Sequence, residues 1–137
     1  MKTVWLNLPV RDVRKSRAFF TAIGFRENPR HADSPDMASF FIGENDFVLM
    51  LFPDAAFSGF AHHAVSDTGA GTEALINIGA ESREDVDRMA EAVRKAGGEV
   101  YAGPGESQGW MYACGFADPD GHRWCMLHMD MAKMPKG

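Results

Sequence analysis

The sequence predicts an α+β fold made of two tandem βαβββ modules. Three observations lead there. A strand-like alternation running into a capped helix occurs twice along the chain, and three short strand-like runs follow each helix. A shift of seventy residues also lays Leu6-Asn7-Leu8 on Ile76-Asn77-Ile78, the mark of an internal repeat. The competing explanation is a chance likeness between two α+β halves, since an apolar-Asn-apolar match is short.

In the first half, Thr3 to Val10 alternates around Val4, Leu6 and Leu8 as a half-buried strand does. Asp12 then offers an N-cap, Val13, Ser16, Phe20 and Ile23 recur at helical spacing, and Gly24 stops the helix. Strand-like runs follow at Arg26 to Arg30, Ala38 to Ile42 and Phe47 to Phe52. The second half repeats the order. Glu73 to Ala80 alternates around Ala74, Ile76 and Ile78, Ser82 and Asp85 form a capping signal, and Val86, Met89, Ala90 and Val93 share one helix face before Gly97-Gly98. Its strand-like runs are Glu99 to Ala102, Trp110 to Ala117 and His122 to Met129.

Residues 53–72, rich in Gly and Ala without sustained periodicity, are expected to be a linker. A structureless stretch of this length is uncommon inside a domain, so Phe57 and Phe60 either form a lid or subunit contact or simply pack as loop aromatics. The expected organisation is a single domain over 1–137, with the first module at about 1–52 and the second at about 73–130.

Composition narrows the function classes. A formal net charge of -5, with acidic and basic residues intermixed, argues against a nucleic-acid partner, because no basic stripe is present to meet phosphates. No apolar run is long enough to span a bilayer, and the opening residues break into Pro9, Arg11 and Asp12 rather than continuing as a signal peptide. Cys114 and Cys125 have neither the number nor the spacing of a disulfide framework or zinc site, so two free thiols in a reduced, cytoplasmic setting are expected.

The string LNLPVRDVRKSRAFFTAIGF, followed much later by GFADPDGHRW, resembles the vicinal oxygen chelate superfamily of glyoxalases, bleomycin-resistance proteins and extradiol dioxygenases. Bacterial proteins described as predicted lactoylglutathione lyases are particularly similar. The likeness runs nearly end to end, through NLPV-x-D-x-x-x-S, the FF-x-x-x-GF helix end and the DPDGH turn. It implies that the two modules form a half-open curved sheet around a cup, and that metal enzymes of the group place His, Gln or Glu on the first and fourth strands of each module. Here those positions fall on Trp5, Met50, Leu75 and Cys125. An indole and an isobutyl group donate nothing to zinc, nickel or iron, and a thioether is a poor ligand for them. The expectation is therefore no metal and no cofactor. Lactoylglutathione lyase chemistry, which needs a held metal and a base, loses its support with them.

Strand parity gathers a different set. Trp5 and Asn7 share one face of the first strand, Met50 and Phe52 extend it, and Leu75, Asn77 and Cys125 occupy the equivalent face of the second module. An aromatic plane, apolar side chains and two amides describe a small-molecule site for a flat, mostly apolar ligand, but they equally describe a filled core with satisfied amides. Cys125 is either a nucleophile or a small hydrophobe, and His62, His63, His122 and His128 lack carboxylate partners at ligand spacing. The function expected is metal-independent binding or sequestration of a small molecule by a homodimer. The alternatives are a metal-dependent lyase, isomerase or dioxygenase with atypical ligands, and a partner-binding module with no small ligand.

Overall fold

Asp12 begins the first helix as its sequence position predicts: Oδ1 accepts the Lys15 backbone N–H at 3.1 Å, satisfying a donor that every helix start leaves open. The computed structural model describes residues 1–136 and divides into two compact units, Met1–Gly71 and Thr72–Gly137. In the first unit β1 (Trp5–Val10) leads into α1 (Val13–Ala22), followed by β2 (Arg26–Glu27), β3 (Ala38–Ile42) and β4 (Phe47–Pro53). The chain leaves α1 through Gly24 at φ 101°, a conformation that suits a residue without Cβ. The strands form one sheet in the order β1-β4-β3-β2, with β1 parallel to β4 and the remaining pairs antiparallel.

Period-two alternation decides which side chains meet α1. Leu8, Val10, Ala38, Phe40, Leu49 and Leu51 turn to one face and are buried there. Phe20 of α1 stacks on Phe25 at 5.2 Å and meets Phe40 at 5.9 Å, so this aromatic cluster closes the core of the unit.

The second unit repeats the plan. β5 (Leu75–Gly79) leads to α3 (Arg83–Lys95), β6 (Glu99–Ser107), β7 (Met111–Ala117) and β8 (Arg123–Met129), in the sheet order β5-β8-β7-β6 with β5 and β8 parallel. Ser82 caps α3 by accepting the Asp85 N–H at 3.2 Å, and the periodic residues Val86, Met89, Ala90 and Val93 are its buried face. Phe116 and Trp124 stack beneath it with centroids 6.2 Å apart. In the DPDG turn, Asp118 Oδ1 accepts the backbone N–H groups of Asp120 and His122 and Oδ2 accepts the Trp124 indole N–H at 3.1 Å. Burial pushes the Asp118 carboxyl up, against the pull of those donors.

Three segments depart from expectation. The run Arg26 to Arg30 is strand only over Arg26–Glu27, because Pro29 lacks a ladder N–H and opens a short 3-10 turn, Pro29–His31, capped by Asn28. Residues 53–72 are not a structureless linker, since α2 spans Asp54–Ala61. That helix is short, has no side-chain cap and contains Gly59, so it carries few of the signals by which a sequence announces a helix. Finally, β6 continues past Ala102 to Ser107 with two register shifts, and Pro104 is accommodated because β6 is an edge strand.

Candidate functional site

In each sheet the face turned away from its helix carries the residues that strand parity selects. In the first unit Asn7 lies beside Met50 in the parallel ladder, and Met50 lies opposite Ser39, so β1, β4 and β3 form the row Asn7–Met50–Ser39. One step toward the strand starts the row is Trp5–Val48–Phe41, and one step the other way Phe52 lies beside Pro9. Trp5 is 57% exposed, whereas Phe52 is buried and meets the Phe60 ring of α2 edge-on at 5.0 Å. Phe60 therefore packs on Phe52, while its own outer side stays exposed.

The polar members of the central row have no partners. Asn7 Oδ1 and Ser39 Oγ are both shielded from solvent and accept or donate no hydrogen bond, and Ser39 is fully buried. Most buried polar atoms in folded proteins are paired, because an unmade bond costs about 1–3 kcal/mol. Two such atoms flank one methionine, so this row carries hydrogen-bonding capacity that the chain itself leaves unmet.

The second unit has the equivalent row Asn77–Cys125–Gly115, and one step along it Leu75–Arg123–Ala117. Asn7 thus corresponds to Asn77, Met50 to Cys125 and Ser39 to Gly115, so the internal repeat extends to ladder register. Gly115 makes room for a side chain that sequence reasoning missed. The Tyr101 ring lies over it so closely that a Cβ there would sit 2.4 Å from Tyr101 Cε1. The Tyr101 hydroxyl donates to the Trp124 carbonyl at 2.9 Å, and the Arg123 guanidinium lies 4.2 Å from the ring centroid. The register shifts of β6 allow this, and the Gly103-Pro104-Gly105 run beside the second of them is the local signal that could have marked the irregularity.

Burial raises the Tyr101 phenol, with nearby Cys125 adding to the effect. It also pushes the Cys125 thiol up, the reverse of what a thiolate nucleophile requires. The histidines stand elsewhere. His128 Nδ1 is 3.1 Å from the Ala80 carbonyl on the helix side of β8, and His62 and His63 are exposed at the end of α2. Among the described residues no three His, Cys, Asp or Glu side chains come together in a group that could hold a metal. The side chains at the positions expected for ligands, Trp5, Met50, Leu75 and Cys125, do not fit a divalent ion's preference for imidazole and carboxylate. No described helix is long and apolar enough to cross a membrane.

Two mixed sheets of the same strand order, each with a helix after its first strand, define a tandem βαβββ protein. The model of the Glyoxalase/Bleomycin resistance protein/Dioxygenase superfamily matches residues 2–126, and the chain belongs to this family. It is similar to a hypothetical protein from S. aureus, at 30% identity over 93% of this chain and 94% of that one, with a TM-score of 0.81. A glyoxalase/bleomycin resistance protein/dioxygenase family enzyme from Burkholderia phytofirmans shares 19% identity over 91% of this chain and 96% of its own, with a TM-score of 0.74. A genomically encoded fosfomycin resistance protein from Listeria monocytogenes shares 18% over 97% and 95%, with a TM-score of 0.70. At those lower identities the likeness is one of fold. No curated protein matches the chain.

Proposed function

We propose that this protein binds a small, flat and mostly apolar molecule without a metal, and that it does so as a homodimer. The observation that carries the proposal is the row Asn7–Met50–Ser39, where two buried polar atoms lack partners beside the exposed indole of Trp5. A ligand that stacks on Trp5 and displaces the side chains covering Asn7 Oδ1 and Ser39 Oγ recovers the bonds the fold leaves unmade. Leu75, Asn77 and Cys125 offer the equivalent surface of the second unit. The fold alone does not choose this role, since one scaffold hosts unrelated chemistries. Support comes from the donor set, which suits apolar contact and amide hydrogen bonds better than metal coordination.

Purified protein is expected to hold no stoichiometric transition metal and to gain little thermal stability from zinc, nickel or iron(II). In a thermal-shift screen of planar aromatics, a ligand at a hundredfold excess over its dissociation constant should add about 2.7 kcal/mol, enough to raise Tm by several degrees. Trp5→Ala should weaken any hit. The raised Cys125 thiol predicts that its alkylation accelerates only above the pH range of an ordinary cysteine, because the neutral thiol persists to higher pH. A bound ligand should slow that alkylation further. One tightly held metal per chain, released only by a chelator, would overturn the reading. So would hits whose affinity is unchanged both by Trp5→Ala and by the double substitution Asn7→Ala, Asn77→Ala.

A further inference from the structure

Arg123 is a half-buried cation with no carboxylate partner among the described residues. It stands between Leu75 and Ala117 on the face of the second sheet turned away from α3. Its guanidinium forms no ion pair with any described residue, although Arg17, Arg26, Arg83 and Arg88 each meet a carboxylate. Glu99 occupies the far end of the same ladder row, beyond Ala117, and is not paired with it. In a chain of net charge -5, acidic groups are plentiful, yet none among the described residues is paired with this guanidinium.

The arginine is nevertheless held in place. Tyr101 lies under it at 4.2 Å, and the phenol is itself pinned by its bond to the Trp124 carbonyl and by its close fit over Gly115. The ring face attracts the positive charge and the neutral Tyr101 hydroxyl lies within its reach, but neither brings an anionic oxygen to the five N–H donors. Around the guanidinium are the exposed Leu75, with Asn77 and Cys125 one ladder step away. A preordered cation, an amide and an apolar side chain on one surface match an aromatic carboxylate: the oxyanion meets the guanidinium and the ring covers Leu75.

We infer that Arg123, positioned by Tyr101, receives the carboxylate of an aromatic acid on this face. The inference rests on the small-molecule reading above and names the ligand's charge. The test uses matched pairs, naphthoate against naphthamide in both ring isomers and indole-acetate against its amide, titrated calorimetrically into the intact chain. Each acid should bind at least about tenfold more tightly than its amide, the scale of a hydrogen bond to a charged group. In Arg123→Gln that preference should collapse to near unity, and in Arg123→Lys it should persist in part; an unchanged far-UV spectrum and Tm verify that each variant folds. Should Arg123→Gln fail to fold, the salt dependence of naphthoate binding to the wild type replaces it: affinity that falls with added salt supports the pairing, and salt-independent affinity refutes it. Equal binding of acids and amides, or a preference surviving in Arg123→Gln, overturns the anion site and leaves the small-molecule reading standing. Binding by neither class overturns both.

Discussion

Gly115 shows how much one missing methyl group decides. In a β-strand interior glycine is a poor choice on propensity, yet here it lets the Tyr101 ring lie flat across β7 and reach the Trp124 carbonyl of β8. An alanine would place Cβ at 2.4 Å from Cε1, so the ring must swing out and abandon both its hydrogen bond and Arg123. Gly115→Ala is therefore expected to destabilise the fold by about 1–3 kcal/mol, measured by denaturant unfolding. The same substitution in a Tyr101→Ala background should cost much less. Additive effects in that double-mutant cycle would show that the ring does not depend on the glycine. The glycine itself is visible in the sequence, but the partner that needs it sits on another strand and is brought there only by irregular pairing.

The segment between β2 and β3 shows tertiary contacts replacing local propensity at the scale of elements. Pro29 ends the strand, and the following residues have no ladder of their own. Arg17 of α1 holds them instead: Nη2 donates to the Ser34 and Met37 carbonyls at 2.6 and 2.7 Å, and Nε pairs with Glu27 Oε1 at 2.9 Å. These groups are part-buried, so truncation leaves carbonyls and a carboxylate without their donor. Arg17→Ala should lower stability by about 1–3 kcal/mol, with the earliest loss of amide protection confined to residues 28–37. Uniform loss of protection across both sheets would contradict that local role. Arg17 belongs to a helix whose caps and buried face were legible, but its anchoring function was not, because the acceptors follow it by seventeen and twenty residues.

For the whole molecule, the proposed homodimer is supported by the exposed apolar residues at the sheet edges. β1 and β5 are edge strands, and the residues at their starts, Trp5 and Leu75, are each 57% exposed, with Val4 beside Trp5 more exposed still. Apolar side chains on an unpaired edge favour association with another copy. Light scattering should report a particle near twice 15.1 kDa, and a persistent monomer at high micromolar concentration would remove the proposal. The sequence by itself determined the repeated element order, the caps at Asp12 and Ser82, the buried faces of α1 and α3 and the parity of Trp5, Asn7, Met50, Leu75, Asn77 and Cys125, because periodicity and capping are local physics. It also carried the family resemblance through the strand-to-helix string and the DPDG turn. Only the tertiary structure decided that α2 forms, that β6 shifts register, that Asn7 Oδ1 and Ser39 Oγ lack partners and that Tyr101 lies beneath Arg123. The last two depend on residues distant in sequence meeting across strands, where a side chain's partner is set by packing rather than by its neighbours along the chain, whereas α2 and the β6 shifts rest on local signals too weak to fix an element by themselves.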